Sequence, residues 1–193
     1  STQSFKDGLF EVQDEGSQLL SYLLEPKRNE MVVDFCAGAG GKTLHIGALM
    51  ANTGTVYAFD VAARRLEKLA PRLRRAGLNN VRSVVLGSER DDRVQRLRGK
   101  IDRVLVDAPC SGTGTLRRNP DIKWRTIDLP ALAKAQQRIL AAAAQLLKPG
   151  GRLVYATCSL LREENEDIAE AFLRAHGEFR VVPVGEILAR RHI

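Results

Sequence analysis

The sequence predicts an α/β fold built on a mostly parallel sheet with helices on both faces. Short apolar runs typical of buried strands alternate with segments whose apolar residues recur every three or four positions, as in helices. Apolar strands that alternate with helices are typical of parallel sheets covered on both faces. Hydrophobic residues make up 44% and charged residues 27% of the 193 residues, which excludes a disordered or collagen-like chain.

The strands and helices can be placed in order along the chain. Strands are predicted at 31–35, 55–60, 81–86, 101–107 and 152–158, with a further one at 178–184. Helices are predicted at 15–24, 44–51, 62–76, 129–147 and 163–176. Asp128 is a suitable N-cap for the fourth helix, and residues 148–151 predict a turn. Residues 1–30 are interpreted as a lead-in to a single domain at 31–193.

Composition and charge restrict the function classes. The net charge is +7, which indicates a polyanionic partner such as nucleic acid or, alternatively, an ordinary solvated surface. No apolar run approaches the roughly 20 residues needed to span a bilayer, so no membrane partner is expected. Three widely spaced cysteines are not a disulfide framework and favour a reducing cytoplasm. No metal site is expected, since cysteines and histidines lack ligand spacing.

A glycine-rich segment, CAGAGGKT, follows the first predicted strand at residues 36–43. Ligands of parallel sheets bind at the carboxyl ends of strands, where glycine permits close backbone approach. Asp60 ends the second strand, at the spacing of an acid that accepts hydrogen bonds from ribose hydroxyls. Thr43 replaces the third glycine of an NAD fingerprint, and Cys36 replaces the first glycine of a phosphate loop. A different nucleoside-bearing cofactor is favoured over a plain tight turn.

Two cysteines follow the fourth and fifth strands. Cys110 lies in the sequence Asp107-Ala-Pro-Cys, and Cys158 follows Ala156-Thr157. A cysteine at such a position is often only a small buried apolar residue. If the two strands are neighbours about 4.8 Å apart, however, both sulfurs overlook one crevice at the ligand-binding edge.

Together these blocks resemble the RNA cytosine-C5 methyltransferases of the Sun/Fmu and Nop2 type. The resemblance extends over almost the whole chain. The matching blocks are residues 8–17, the loop at 36–43, Asp60, residues 107–112, residues 117–124, residues 156–159 and residues 163–165.

The resemblance implies a Rossmann-like class I methyltransferase with a mostly parallel seven-stranded sheet and S-adenosylmethionine as cofactor. The implied cofactor-binding residues are Cys36, Ala37, Gly38, Ala39, Gly40, Gly41, Lys42, Asp60, Arg65, Ser88 and Asp107. Ala39 stands where the family usually has proline, which should alter loop stiffness. Ser88 stands where an aspartate usually contacts adenine, so adenine binding should be weaker. The family also implies a further C-terminal strand pair and an N-terminal RNA-binding domain, both expected to lie outside this sequence.

The resemblance also implies covalent catalysis. Addition of a thiolate to C6 of cytosine makes C5 nucleophilic and splits one difficult step into two. Cys158 is the implied nucleophile, Cys110 assists product release, and Asp107 contacts the N3/N4 edge of the base. Lys42 is a candidate for the positive charge that ionises Cys158. DNA cytosine methyltransferases use the cysteine equivalent to Cys110 as nucleophile, so the reverse assignment is the alternative.

RNA binding is expected at Arg117, Arg118, Lys123 and Trp124, because cations around one tryptophan suit phosphate contacts and base stacking. The alternative is that Trp124 anchors the core and its basic neighbours are merely exposed. The expected substrate is ribosomal RNA and the expected state a cytoplasmic monomer. The alternatives are a transfer RNA substrate, or a non-catalytic RNA-binding module with the same fold.

Overall fold

A computed structural model of the chain describes residues 2–190, so the last three residues of the predicted domain lie outside it. The described residues contain one parallel sheet in the order β3-β2-β1-β4-β5. The strands are β1 (Met31–Asp34), β2 (Thr55–Asp60), β3 (Val81–Val85), β4 (Ile101–Asp107) and β5 (Leu147–Ala156). The predicted α/β class is confirmed, with five strands in this part of the chain rather than seven.

Helices connect the strands and cover both faces of the sheet. They are α1 (Gln3–Lys6), α2 (Glu15–Leu24), α3 (Gly41–Leu49), α4 (Ala63–Leu66), α5 (Leu69–Arg75), α6 (Asp92–Gln95), α7 (Leu129–Ala144), α8 (Glu166–Ala175) and α9 (Val184–Ala189). Short 3-10 turns lie at Thr113–Thr115, Pro120–Trp124 and Arg162–Glu164. The predicted cap is confirmed, since the Asp128 carboxylate accepts a hydrogen bond from the Ala131 N–H at 3.0 Å.

The core lies on both sides of the sheet because successive strand residues point to opposite faces. Val33 and Val104 belong to one buried cluster, which includes residues of α7 and α8. Val32 and Leu105 belong to another, which includes residues of α2 and α3. Their strands, β1 and β4, are therefore buried from both faces.

Two predicted elements in the middle of the chain are wrong in detail. The helix expected at 62–76 is two helices, α4 and α5, because Pro71 has no N–H to donate to the carbonyl of Glu67. The turn expected at 148–151 lies within β5, where the register with β4 jumps between Ile101 and Arg103. Gly150 has a φ of 76°, which accommodates this irregularity.

The strand predicted at 178–184 is absent from the described residues. Val181 and Val182 are exposed, and no neighbouring strand of the described sheet supplies hydrogen bonds to this segment. Pro183 lacks a ladder donor and precedes α9, which begins at Val184. The helices expected at 44–51, 129–147 and 163–176 are present with shifted ends, as α3, α7 and α8.

Replacing Leu24 with alanine should destabilise the fold strongly. This side chain at the end of α2 is 0% exposed, so its truncation leaves a cavity and should cost about 2–5 kcal/mol. Leu9→Ala is the matched control, because Leu9 is 76% exposed and its loss should cost less than about 0.5 kcal/mol. Urea unfolding measures both values. Equal costs for the two variants would contradict the packing of α2 on the sheet.

Candidate functional site

The glycine-rich loop connects β1 to α3 at the carboxyl edge of the sheet. Gly38 and Gly40 have φ values of 56° and 84°, a backbone region that residues other than glycine rarely adopt. A Cβ at Gly40 would come within 2.2 Å of Leu69 Cδ1 on α5. Both conformation and close approach therefore require glycine here, and the loop exposes backbone at the start of α3.

Asp60 holds this loop against the end of β2. Its Oδ2 accepts the Gly38 N–H at 2.8 Å, and its Oδ1 accepts the Ala62 N–H at 2.7 Å. Each carboxylate oxygen has a second lone pair, so hydroxyl groups can still be accepted. The structure thus brings together two parts of the site predicted from the sequence.

Three other residues predicted to bind the cofactor lie in or near this loop and after β3. Ala39 lies in the loop, and its carbonyl accepts a hydrogen bond from Arg72 at 2.6 Å. Arg65 lies on α4 with an exposed side chain. Ser88 lies after β3, where its hydroxyl accepts the Arg90 N–H at 3.1 Å. Nearby, the Asp91 carboxylate accepts the Gly87 N–H at 2.9 Å.

The sequence analysis missed two residues that support the loop. Arg72 on α5 also bonds Glu11 at 3.3 Å, so it links the loop to the N-terminal segment. Asp34 at the end of β1 is buried, and its Oδ2 accepts the Thr43 hydroxyl at 2.7 Å. Its Oδ1 has no hydrogen-bond partner among the described residues, and burial raises the pKa of Asp34 to about 6. Asp34 directly precedes the glycine-rich segment, a signal that could have identified it.

An ion pair joins the loop to the end of β4. Lys42 Nζ lies 2.6 Å from Asp107 Oδ2, and both side chains are partly buried. Lys42 is in the first turn of α3, while Asp107 is the last residue of β4. The ammonium group therefore lies between the predicted cofactor loop and the predicted catalytic residues.

The two cysteines beyond β4 and β5 lie side by side. Cys110 Sγ is 3.4 Å from Cys158 Sγ, which confirms the expectation that both sulfurs occupy one crevice. The loops that carry them are also joined, because the Gly114 N–H donates to the Cys158 carbonyl at 2.9 Å. A Cβ at Gly114 would lie 2.9 Å from that same oxygen, so this close approach depends on glycine.

The contact between the two thiols gives them different pKa values. A hydrogen bond from Cys110 lowers the pKa of Cys158 to about 7, against opposing effects of burial and Asp107. The same bond, with burial, raises the pKa of Cys110 well above its usual range. Lys42, the candidate ionising charge, also lowers the pKa of Cys158, as expected, but its effect is smaller than that of the Cys110 hydrogen bond. Burial raises the pKa of Cys36, which therefore stays a protonated thiol.

The basic segment at 117–125 lies at the surface beside this crevice. Trp124 is 85% exposed, so the alternative that it anchors the core is wrong; buried Ile122 occupies that position instead. Arg117 and Lys123 are exposed. Arg118 Nη1 is paired with Asp14 Oδ2 at 2.7 Å, a contact that the sequence did not predict. An exposed indole ring in a basic segment is suited to stacking against a base.

Two further properties concern metals and membranes. Within residues 2–190, three or more histidine, cysteine or acidic side chains never converge as they would around a metal ion. None of the helices described has the length and apolar character needed to cross a bilayer.

Comparisons with known proteins give a consistent family. A family model described as "16S rRNA methyltransferase RsmB/F" matches residues 21–189. The chain is 42% identical, over 93% of its length, to a probable ribosomal RNA small subunit methyltransferase B of Synechocystis. It is 42% identical, over 96% of its length, to ribosomal RNA small subunit methyltransferase B of Sodalis glossinidius. It spans 40% and 42% of the lengths of these relatives.

Two solved structures from Pyrococcus horikoshii are also similar. NSun6 with SFG superposes with a TM-score of 0.81 at 34% identity, and covers 91% of this chain and 44% of that one. A methyltransferase homologue superposes with a TM-score of 0.78 at 38% identity, and covers 90% of this chain and 54% of that one.

The pH dependence of alkylation tests the thiol contact. The rate of Cys158 alkylation by iodoacetamide should rise with pH, with an inflection near pH 7, because the reactive thiolate forms above its pKa. Cys110→Ala removes the hydrogen-bond donor and should move the inflection up, towards the free-thiol value of about 8.5. Peptide mapping identifies the alkylated residue. An unchanged inflection in Cys110→Ala would show that another group ionises Cys158.

Proposed function

The chain belongs to the 16S rRNA methyltransferase RsmB/F family, and on that basis we propose that it methylates C5 of a cytosine in RNA using S-adenosylmethionine. The observation that carries the proposal is the pair of thiols 3.4 Å apart at the ends of neighbouring strands. A non-catalytic RNA-binding module does not need a thiol that ionises near neutral pH beside a second thiol that keeps its proton. The names of the relatives favour small-subunit ribosomal RNA as substrate.

The cofactor is assigned to the loop at 36–42 and the end of β2. The positive φ angles of Gly38 and Gly40 and the free acceptor capacity of Asp60 fit a nucleoside with a charged amino-acid tail. A similar structure was solved with SFG, an analogue of S-adenosylmethionine. Arg65 and Ser88 are assigned supporting positions at this site. When bound, S-adenosylmethionine supplies an electrophilic methyl group.

The residues of the chain prepare the base to accept that methyl group. The Cys158 sulfur forms a bond to C6, and the electron pair of the C5–C6 double bond becomes available at C5. Asp107 contacts the N3/N4 edge of the base, held in place by its ion pair with Lys42. After methylation the C5 proton passes to solvent water, the C5–H electron pair restores the C5–C6 double bond, and the Cys158 sulfur leaves C6 with its bonding pair as a thiolate, which a neighbouring thiol can stabilise by a hydrogen bond. We assign Cys110 to assist these steps, because its thiol is already in contact with the Cys158 sulfur.

A denaturing gel identifies the nucleophile. Wild type, Cys158→Ser and Cys110→Ser are each mixed with S-adenosylmethionine and unmodified small-subunit rRNA. A covalent RNA–protein band should persist in Cys110→Ser, where release is impaired, and disappear in Cys158→Ser, where the attacking thiolate is lost. The reverse pattern would assign the nucleophile to Cys110. The absence of a band in every sample, together with no incorporated methyl group, would contradict the proposed reaction.

The RNA-binding surface is assigned to Arg117, Arg118, Lys123 and Trp124. Arg117→Ala should weaken RNA binding and reduce its salt dependence by about one phosphate contact. Trp124→Ala should weaken binding by about 1–3 kcal/mol while leaving the salt dependence unchanged, because a lost stacking contact releases no counterions. Titrations at several salt concentrations measure both effects.

Arg98→Ala is the matched control for charge. Arg98 is exposed and lies before the start of β4, at the opposite edge of the sheet from the cysteines. Its removal changes the net charge by the same amount as Arg117→Ala. Equal loss of affinity in the two variants would show a general charge effect and exclude a specific contact at Arg117.

A further inference from the structure

Glu164 is a fully buried acidic residue that the proposed chemistry does not use. It lies in the 3-10 turn Arg162–Glu164, between β5 and α8, and its side chain is 0% exposed. Its Oε1 accepts the Ser111 N–H at 2.9 Å and the Gln136 amide at 2.9 Å. Its Oε2 accepts the Ser111 hydroxyl. A buried carboxylate is costly unless donors compensate for lost water, and these three contacts do so.

The hydrogen-bond partners of Glu164 hold the residues on both sides of Cys110. Ser111 is the residue after Cys110 and donates both its N–H and its hydroxyl to the carboxylate. Gln136 on α7 also donates to the carbonyl of Pro109 at 2.9 Å, the residue before Cys110. The backbone on each side of this cysteine is therefore fixed by groups that converge on one carboxylate.

The same network reaches the loop of Cys158. The hydroxyl groups of Ser111 and Ser159 are 3.1 Å apart, and Ser159 is the residue after Cys158. Thr113 lies 3.1 Å from the Ser159 hydroxyl and accepts the Leu160 N–H at 2.9 Å. Tyr155, in β5, donates its hydroxyl to the Glu164 carbonyl at 2.7 Å. Glu164 is thus attached to β5 and to the loop that follows β4.

The carboxylate form of Glu164 is maintained by these donors. Burial acts to raise the pKa of Glu164, but hydrogen bonds from Ser111, Ser159 and Gln136 outweigh it and hold that pKa below the usual range. The carboxylate accepts from donors in the Cys110 loop and on α7, so it fixes their positions relative to one another.

We propose that Glu164 is a positioning residue, which holds the Cys110 and Cys158 loops together so that the two sulfurs stay in contact. The meaning of that contact for catalysis rests on the proposed function, but the contact itself does not. Glu164 touches neither sulfur; it acts through Ser111 and Ser159. Loss of its carboxylate should let the loops separate, so that Cys110 no longer donates to Cys158.

Alkylation of Cys158 by iodoacetamide tests this role without RNA or cofactor. In Glu164→Ala the inflection should move from about pH 7 towards about 8.5, with alkylation at pH 7 slowed about tenfold. The inflection of Glu164→Gln should lie between those of wild type and Glu164→Ala. Its amide oxygen can keep the contacts of Oε1, whereas the Ser111 hydroxyl must reorient because the amide nitrogen does not accept a hydrogen bond. Glu163→Gln is the matched control, since neighbouring Glu163 is exposed; it should retain the wild-type profile.

The outcomes separate positioning from simple stability. A purely structural role would lower the melting temperature of Glu164→Ala but leave the inflection in the folded protein unchanged, and this result would overturn the proposal. If Glu164→Ala does not fold, Glu164→Gln decides: an inflection identical to wild type would overturn the proposal equally. Because no RNA is present, failure of the chain to methylate RNA leaves this test intact. In an active protein, kcat should fall in Glu164→Gln while KM for S-adenosylmethionine stays unchanged.

Discussion

The pairing of β4 with β5 is the constraint on which the site depends. Asp107 and Ala156 are register partners, and the Ala108 N–H continues the ladder to the Ala156 carbonyl at 2.8 Å. Parallel strands in a ladder are about 4.8 Å apart, so the loops that leave them must begin side by side. Cys110 and Cys158 each follow within a few residues of these ends. Strand order therefore places the two loops next to each other, and hydrogen bonds between the loops, such as the one from the Gly114 N–H to the Cys158 carbonyl, then bring the sulfurs together.

The polar residues at this edge occur where the hydrophobic core ends. Val104 and Leu105 are buried on opposite faces of β4, whereas Asp107 at the end of the same strand is partly accessible and paired with Lys42. An ion pair at such a boundary keeps some solvent contact, so it avoids the full cost of a buried charge pair. It also fixes the start of α3, and hence the glycine-rich loop, relative to the cysteines. This contact therefore links the glycine-rich loop to the end of β4.

Features that follow from local sequence could be predicted, and features that follow from distant contacts could not. The N-cap at Asp128 and the strand ends at Asp60 and Asp107 depend on nearby residues and were identified correctly. Arg72 escaped prediction because its partners, the Ala39 carbonyl and Glu11, are far from it in sequence.

The errors in the sequence analysis have the same physical origin. The apolar residues at 178–184 match a strand pattern, but a strand also needs a neighbour to supply its hydrogen bonds, and none of the five described strands does so. Trp124 could not be assigned to core or surface because Ile122, two residues earlier, competes for the same buried position. The hydrogen bond from Cys110, which lowers the pKa of Cys158 more than Lys42 does, was not anticipated, because the sequence shows charges but not the distance between two thiols.

The difference between the pKa values of Cys110 and Cys158 explains how neighbouring thiols can differ in reactivity. A single hydrogen bond makes one sulfur easier to ionise and its donor harder to ionise, so Cys158 loses its proton more readily than Cys110 does. The hydrogen bond from Cys110 is the largest influence on the pKa of Cys158, ahead of burial and Asp107, which raise that pKa, and of Lys42, which lowers it. The pKa of Cys158 therefore depends most on its contact with Cys110. A buried network that fixes this contact acts on the chemistry through geometry, without contributing charge to the reacting atoms.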